Sequence, residues 1–352
     1  MKPENIIFDE CQTRIGEINL SKFKNKNVCV LGGNSFLATY IISILSNANL
    51  FLKLNCTVSL FSKNKPNYII SKILKLDKKV NFFRFNFTPS SDYKSYFKKF
   101  KYDYTFFCLT YGQPAKWLED EIITVWLNTE LLKFFLEKTL KNKSKIMFFS
   151  SVDVYGDTSK YKYAVNEDVN SAVHLFSNRV SYGESKRLGE VYCKIYREKK
   201  GLDVYVVRPA HTYGPGMSKS DRRVIVELIQ KGLKLKKINL LDKGKSMKTY
   251  GYIFDIAKMF LLIIQFGKEH TYNTTGKDFI TIYNLASKIG ESLSIKTIGI
   301  GNSKLAHIQN DNSKSLISSK KCYKEFKINN LTKLEDGILN LVKWLKLLNA
   351  IK

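Results

Sequence analysis

Histidine and proline are scarce in this 352-residue chain, with 4 and 6 residues. His174, His211, His270 and His307 stand far apart and form no pair at metal-ligand spacing, so no metal is expected. The 6 cysteines (Cys11, Cys29, Cys56, Cys108, Cys193, Cys322) contain no CxxC pair. Cys29 and Cys108 fall inside apolar, strand-like runs, so the set reads as reduced core thiols and not as a disulfide framework. Long apolar runs are missing too. The longest, Met259–Ile264, is far short of the roughly 20 residues a membrane span needs. The first residues mix Glu4, Asp9, Glu10 and Glu17 with no apolar core, unlike a signal peptide. A cytoplasmic protein with no membrane partner is expected.

Acidic residues are also few, 31 against 58 basic, for a formal charge of +27. All but eight of the basic residues are lysines, strung along the whole chain with no recognisable nucleic-acid module. With abundant Asn, Ile and Phe they read as compositional drift in an AT-rich coding sequence. No nucleic-acid partner is expected, although a basic surface would draw in anionic substrates such as nucleoside diphosphates. The apolar fraction of 44% is that of a globular protein long enough for one large core with an appended lobe.

The short apolar run Asn27–Leu31 stops at Gly32-Gly33 and leads into a helical pattern from Phe36 to Ser46. Strand, glycine turn and helix open a doubly wound α/β fold. Further strands are predicted at 57–61, 80–85, 104–109, 145–150 and 203–207. Helices are predicted at about 117–138, 181–197, 224–231 and 255–266. Three divisions follow: a polar lead-in (1–26), a parallel-sheet domain (27–210) and a smaller lobe (211–352) over the sheet's carboxyl edge. Some of the last segments are expected to return to the sheet domain.

Four places carry chemistry. Gly32, Ser35 and Ala38 occupy the positions of a dinucleotide-binding turn, where small residues let a pyrophosphate reach a helix N-terminus. Ser151 and Asp153 follow the fifth strand. Tyr182 and Lys186 lie one helical turn apart, so an ammonium beside the phenol is expected to lower its pKa and ready it as a base. Arg208-Pro209-Ala210-His211-Thr212-Tyr213-Gly214 comes after the sixth strand and would close the pocket opposite the cofactor.

With these residues in this order, the chain resembles the extended short-chain dehydrogenase/reductases acting on nucleotide sugars, the NAD-dependent epimerase/dehydratase family. The resemblance runs nearly end to end, to a family-like tail at Asp311-Asn312-Ser313-Lys314 and Leu334-Glu335-Asp336-Gly337. It implies a Rossmann domain holding NAD and a C-terminal lobe holding a nucleotide sugar. It makes Tyr182 the acid/base, Lys186 its partner on the cofactor ribose, and Ser151 the residue that binds the reacting hydroxyl. Along the cofactor it implies Gly32, Ser35, Phe36, Leu37, Ser62, Lys63, Asn86, Phe87, Leu109 and Asn128. His211, Arg223 and Lys248 fall to the substrate, and Arg222 is a further candidate for its phosphates. A homodimer formed through the 117–138 and 181–197 helices is also implied.

The chain departs from the family pattern at several points. His211 stands for the usual Asn, and Lys248 for an Arg that grips the diphosphate, keeping its charge but not its fork. Val152-Asp153 replaces the Asp-Glu pair of 4,6-dehydratases, so one carboxylate is missing. An epimerase, oxidising and re-reducing the sugar at C4 for surface-polysaccharide precursors, asks least of the residues present. A UDP-glucuronate decarboxylase is the alternative: spacing from Tyr182 to Arg223 is the same, with Asp153 where those enzymes carry Glu. A dehydratase, and a relative that binds without turnover, are also weighed. Ser62 and Lys63 at the end of the second strand permit NADP, with NAD placed first.

Overall fold

The computed structural model describes residues 2–110, 118–169, 173–177, 179–240, 242–298 and 314–350. Trp117, Asp311, Asn312 and Ser313 lie outside the described residues. Seven parallel strands make the main sheet: β1 Asn27–Leu31, β2 Thr57–Ser62, β3 Val80–Arg84, β4 Tyr104–Phe107, β5 Lys145–Phe149, β6 Asp203–Pro209 and β7 Thr271–Thr274. Their order is β7-β6-β5-β4-β1-β2-β3. The sequence pattern gives the first six and misses β7, whose Thr-Tyr-Asn-Thr has no apolar run. Pairing with β6, Thr271 opposite Val206 through Thr274 opposite Pro209, makes it a strand.

Helices cover both faces, which is why the strands read as continuous apolar runs. Val28, Val30, Phe106, Met147 and Val207 face α2 (Phe36–Leu52) and the helix Ile253–Phe266. Cys29, Leu31, Phe107, Phe148 and Val206 face the 121–141 helical segment and the helix Val180–Lys200. The smaller lobe is held by short pairings: Met247–Thr249 with Phe279–Thr281 and Lys314–Ser315, and Gly251–Tyr252 with Thr212–Tyr213.

The lead-in is not merely polar. It folds as α1 (Pro3–Arg14), which buries Pro3, Ile7, Phe8 and Cys11 and packs against α2. The Tyr40 hydroxyl donates to the Glu10 carboxylate at 2.9 Å, and Arg14 pairs with Asp255 at 2.9 Å. The apolar residues of the segment bunch at Ile6-Ile7-Phe8 without a clear helical period, so the helix is hard to read from sequence.

Candidate functional site

Strand order reverses between β1 and β4, so their following connections part and a crevice opens at the carboxyl edge. Gly32 starts the turn there with φ +81°, and a Cβ would lie 2.6 Å from the Cys108 carbonyl oxygen. Only glycine meets both demands. Ser35 caps α2, its Oγ accepting from the Ala38 N–H at 3.3 Å, and Ala38 is fully buried. A cap and a minimal packing residue thus stand where glycines are commoner, and the N-terminus of α2, beginning with Phe36 and Leu37, still offers its N–H groups at the crevice. The cradle fits a dinucleotide pyrophosphate.

At the end of β2, Ser62 is buried and Lys63 exposed. Arg84, at the end of β3, donates from Nε to the Lys63 carbonyl at 3.2 Å and adds a second cation that sequence reading does not single out. Asn86 is exposed, whereas Phe87 is buried with its ring against Phe97 (5.7 Å) and Phe135 (6.2 Å). The Phe87 side chain therefore serves the core. Leu109 packs partly buried against that same core.

Ser151 leaves β5 and caps the turn Val152–Tyr155; its Oγ accepts from the Asp153 N–H and donates to the Asp153 carboxylate, both at 3.2 Å. The Tyr182 phenol is hydrogen bonded to Ser151. Lys186 is fully buried below, donating to Thr110 Oγ1 at 2.7 Å and to the Phe149 carbonyl. The Lys186 ammonium lies 5.8 Å from the centre of the Tyr182 ring.

The expected direction of the Tyr182 shift is reversed. Burial, then the Asp153 charge, pushes the phenol above its ordinary range, against the hydrogen bond with Ser151 and the charge of Arg179. Burial likewise lowers Lys186 to about 7. Desolvation favours the neutral form of each, and the lysine's hydrogen bonds go to Thr110 and Phe149.

Asn128 sits in a π-helical turn, Leu127–Leu131, in the helical segment after β4. Its Nδ2 donates to Ser185 Oγ at 3.0 Å, while its buried Oδ1 has no partner among the described residues. π-Turns recur at functional sites because they re-aim a side chain out of helical register.

Substrate-side candidates also converge. His211 has φ +39°, a left-handed conformation that His, like Asn, tolerates better than most residues, which accounts for the exchange. Its Nδ1 meets the Thr249 carbonyl at 3.1 Å, and burial followed by the Lys248 charge holds it neutral, down to about 3, with Arg179 and Arg223 also nearby. Arg223 pairs with Asp221 at 2.7 Å, donates to the Thr212 carbonyl and lies 5.4 Å from the Phe36 ring centre, next to the mouth of the cradle. Arg222 is exposed. Burial, then Arg179, lowers Lys248 while Asp153 opposes the shift.

Two further groups are not singled out by the motifs. Arg179, three residues before Tyr182, pairs with Asp153 at 2.8 Å. Glu190, one turn beyond Lys186, forms a largely buried pair with Arg208 and accepts from the Ser150 hydroxyl. Arg208 also donates to the Tyr155 hydroxyl, which donates to Asn273 on β7. The network ties β5, β6, β7 and the Tyr182 helix together around the site. Spacing of four from Lys186 is the one sequence signal for Glu190.

Curated relatives share short stretches with this chain. UDP-glucuronic acid decarboxylase 1 of Danio rerio is 24% identical over 51% of this chain and 42% of that protein. A dTDP-4-dehydro-6-deoxy-D-allose reductase of a Streptomyces species is 25% identical over 41% of this chain and 44% of that protein. The chain spans less than half the length of these relatives. Solved structures match over more of the chain and share its fold. UDP-glucose 4-epimerase of Thermotoga maritima, solved with UDP-glucose, has a TM-score of 0.74 at 18% identity, covering 93% of this chain and 100% of that one. UDP-glucuronic acid 4-epimerase of Bacillus cereus, solved with UDP-glucuronic acid and NAD, gives 0.73 at 18% identity, covering 92% and 99%. The model of the NAD dependent epimerase/dehydratase family matches residues 28–275, and the chain belongs to that family.

Proposed function

We propose that this protein is a nucleotide-sugar epimerase that oxidises a sugar hydroxyl, at C4, to a ketone and reduces it again from the other face. The observation that carries the reading is the Ser151–Tyr182 hydrogen bond above buried Lys186, beside the Gly32 turn. NAD, the family's cofactor, accepts and returns the hydride when bound. The Tyr182 oxygen takes the hydroxyl proton and later gives it back, and Ser151 hydrogen bonds the same sugar oxygen. Because burial disfavours the phenolate, Tyr182 depends on a nearby positive charge, which Lys186 supplies when protonated. Gly32, Ser35, Phe36, Leu37 and Ser62 line the dinucleotide, while His211, Arg223 and Lys248 receive the sugar diphosphate. Elimination of water needs an acid and a base together. Here Val152-Asp153 brings one carboxylate, already engaged by Arg179.

One observation favours a second reading, decarboxylation of a nucleotide uronic acid: Arg179 places a guanidinium beside Asp153 and Lys248, where a sugar carboxylate would find a cation. A homodimer is part of the proposal, supported by an apolar stripe on the two helical segments. Ile122 is 81% exposed, with Val125, Leu188, Val191 and Ile195 also exposed. The test is incubation with UDP-, dTDP-, GDP- and CDP-sugars, with products read by NMR. A C4 epimer supports the first reading and loss of carbon dioxide from UDP-glucuronic acid the second. An absence of conversion across the panel overturns both.

A further inference from the structure

Lysines that look scattered in sequence are gathered by the fold. All seven strands run parallel, so the loop before each one opens on the same edge, opposite the candidate site. Exposed lysines stand in each of these loops or at the helix end that enters it: Lys24, Lys53, Lys79, Lys101, Lys143, Lys200 and Lys268. Backbone hydrogen bonds stitch the loops side by side, Asn25 to Leu54, Val58 to Lys79, Asp103 to Asn27 and Lys145 to Asp103. Two of the edge's carboxylates are already paired, Asp103 with Lys26 at 3.0 Å and Asp203 with Lys145 at 3.7 Å. Lysines in last helical turns also answer the helix dipole, but that does not explain what stands among them. At the end of α2, Leu50, Phe51 and Leu52 are 39%, 48% and 51% exposed in succession. Leu76, at the end of α3 (Tyr68–Leu76), is 45% exposed. The two helix ends are joined by Asn49, which donates to the Asp77 carboxylate at 2.9 Å.

We propose that this amino edge of the sheet is a docking surface for an anionic lipid bilayer, with Leu50–Leu52 and Leu76 entering the headgroup region and the lysines meeting lipid phosphates. Three consecutive large apolar side chains within a lysine field suit a lipid interface; base stacking on a nucleic acid calls for several aromatic platforms, and Phe51 is the one aromatic among these four residues. Docked this way, the protein turns its carboxyl edge and candidate site toward the solvent. The expectation of no membrane partner rests on the absence of a spanning apolar run, whereas attachment at a surface depends on where the fold gathers charge and apolar side chains. Among the described residues no helix is long and apolar enough to cross a membrane, and surface attachment needs none.

The test is co-sedimentation of the full chain with phosphatidylcholine vesicles, with and without phosphatidylglycerol, beside a duplex-DNA binding assay. Anionic vesicles should bind at least about tenfold more tightly than neutral ones, and less so as salt rises. Combining Lys53→Glu, Lys79→Glu and Lys101→Glu should weaken that binding at least about tenfold. Phe51→Ser with Leu52→Ser should weaken it with no change in charge. Lys160→Glu, Lys162→Glu and Lys219→Glu together, beyond the opposite edge, should leave it intact. Equal binding to both vesicles, equal loss in the two lysine triples, or duplex-DNA binding with no vesicle binding would overturn the proposal.

Discussion

Lys186→Met should change how stability responds to pH, in a direction the structure fixes. Lys186 is fully buried, and desolvation lowers it from 10.5 to about 7. An unfolded chain keeps that proton up to its ordinary pKa, whereas the folded chain gives it up above about 7. Between the two values the unfolded state binds more protons, so stability rises with pH across this window. For one such group, the gain from about pH 7 to about pH 9 is about 2 kcal/mol. The methionine variant lacks the group and should not show that gain. Losing the hydrogen bonds to Thr110 and Phe149 shifts the variant's curve as a whole but not this slope. Urea denaturation of dinucleotide-free protein at several pH values gives both curves. Parallel curves would show that Lys186 is not held in its neutral form by burial, and the reasoning about the catalytic pair would fail with it.

Gly32→Ala should cost at least about 1–3 kcal/mol, since φ +81° and the Cys108 carbonyl 2.6 Å from the new Cβ strain it twice. It should also weaken dinucleotide retention; wild-type melting and retention would contradict the assignment of the turn. Ile122→Glu, at an 81% exposed position, should convert a dimer to a monomer in light scattering at micromolar concentration, and a monomeric wild type would refute the proposed interface. Denatured protein should release NAD. NADP as the sole dinucleotide would reverse that choice and point to Lys63 and Arg84.

The site was more legible than its electrostatics. Tyr182, Lys186 and Ser151 are named by spacing, because four residues on a helix and the end of a strand are local geometry. Gly32 is likewise a local demand of backbone and packing. Arg179, Glu190 and Arg84 are not, since their meaning arises only when β3, β5, β6 and the Tyr182 helix converge. The reversed pKa shift of Tyr182 has the same origin: sequence shows that a lysine is near, but not that the fold buries the phenol beside the Asp153 charge. β7 and α1 were hidden for another reason. One is defined by its partner strand and the other by its packing against α2, so neither shows a clear period of its own.

The most direct test of the central claim is stopped-flow absorbance on mixing the enzyme with the nucleotide-sugar panel. Reduced nicotinamide absorbing near ~340 nm should form and decay with wild type for the cognate sugar. Tyr182→Phe, folded and still holding its dinucleotide, should slow that formation by about 10²–10⁴. A Phe variant that reduces the dinucleotide at the wild-type rate, or a wild type that forms no reduced nicotinamide with any sugar, would contradict the account.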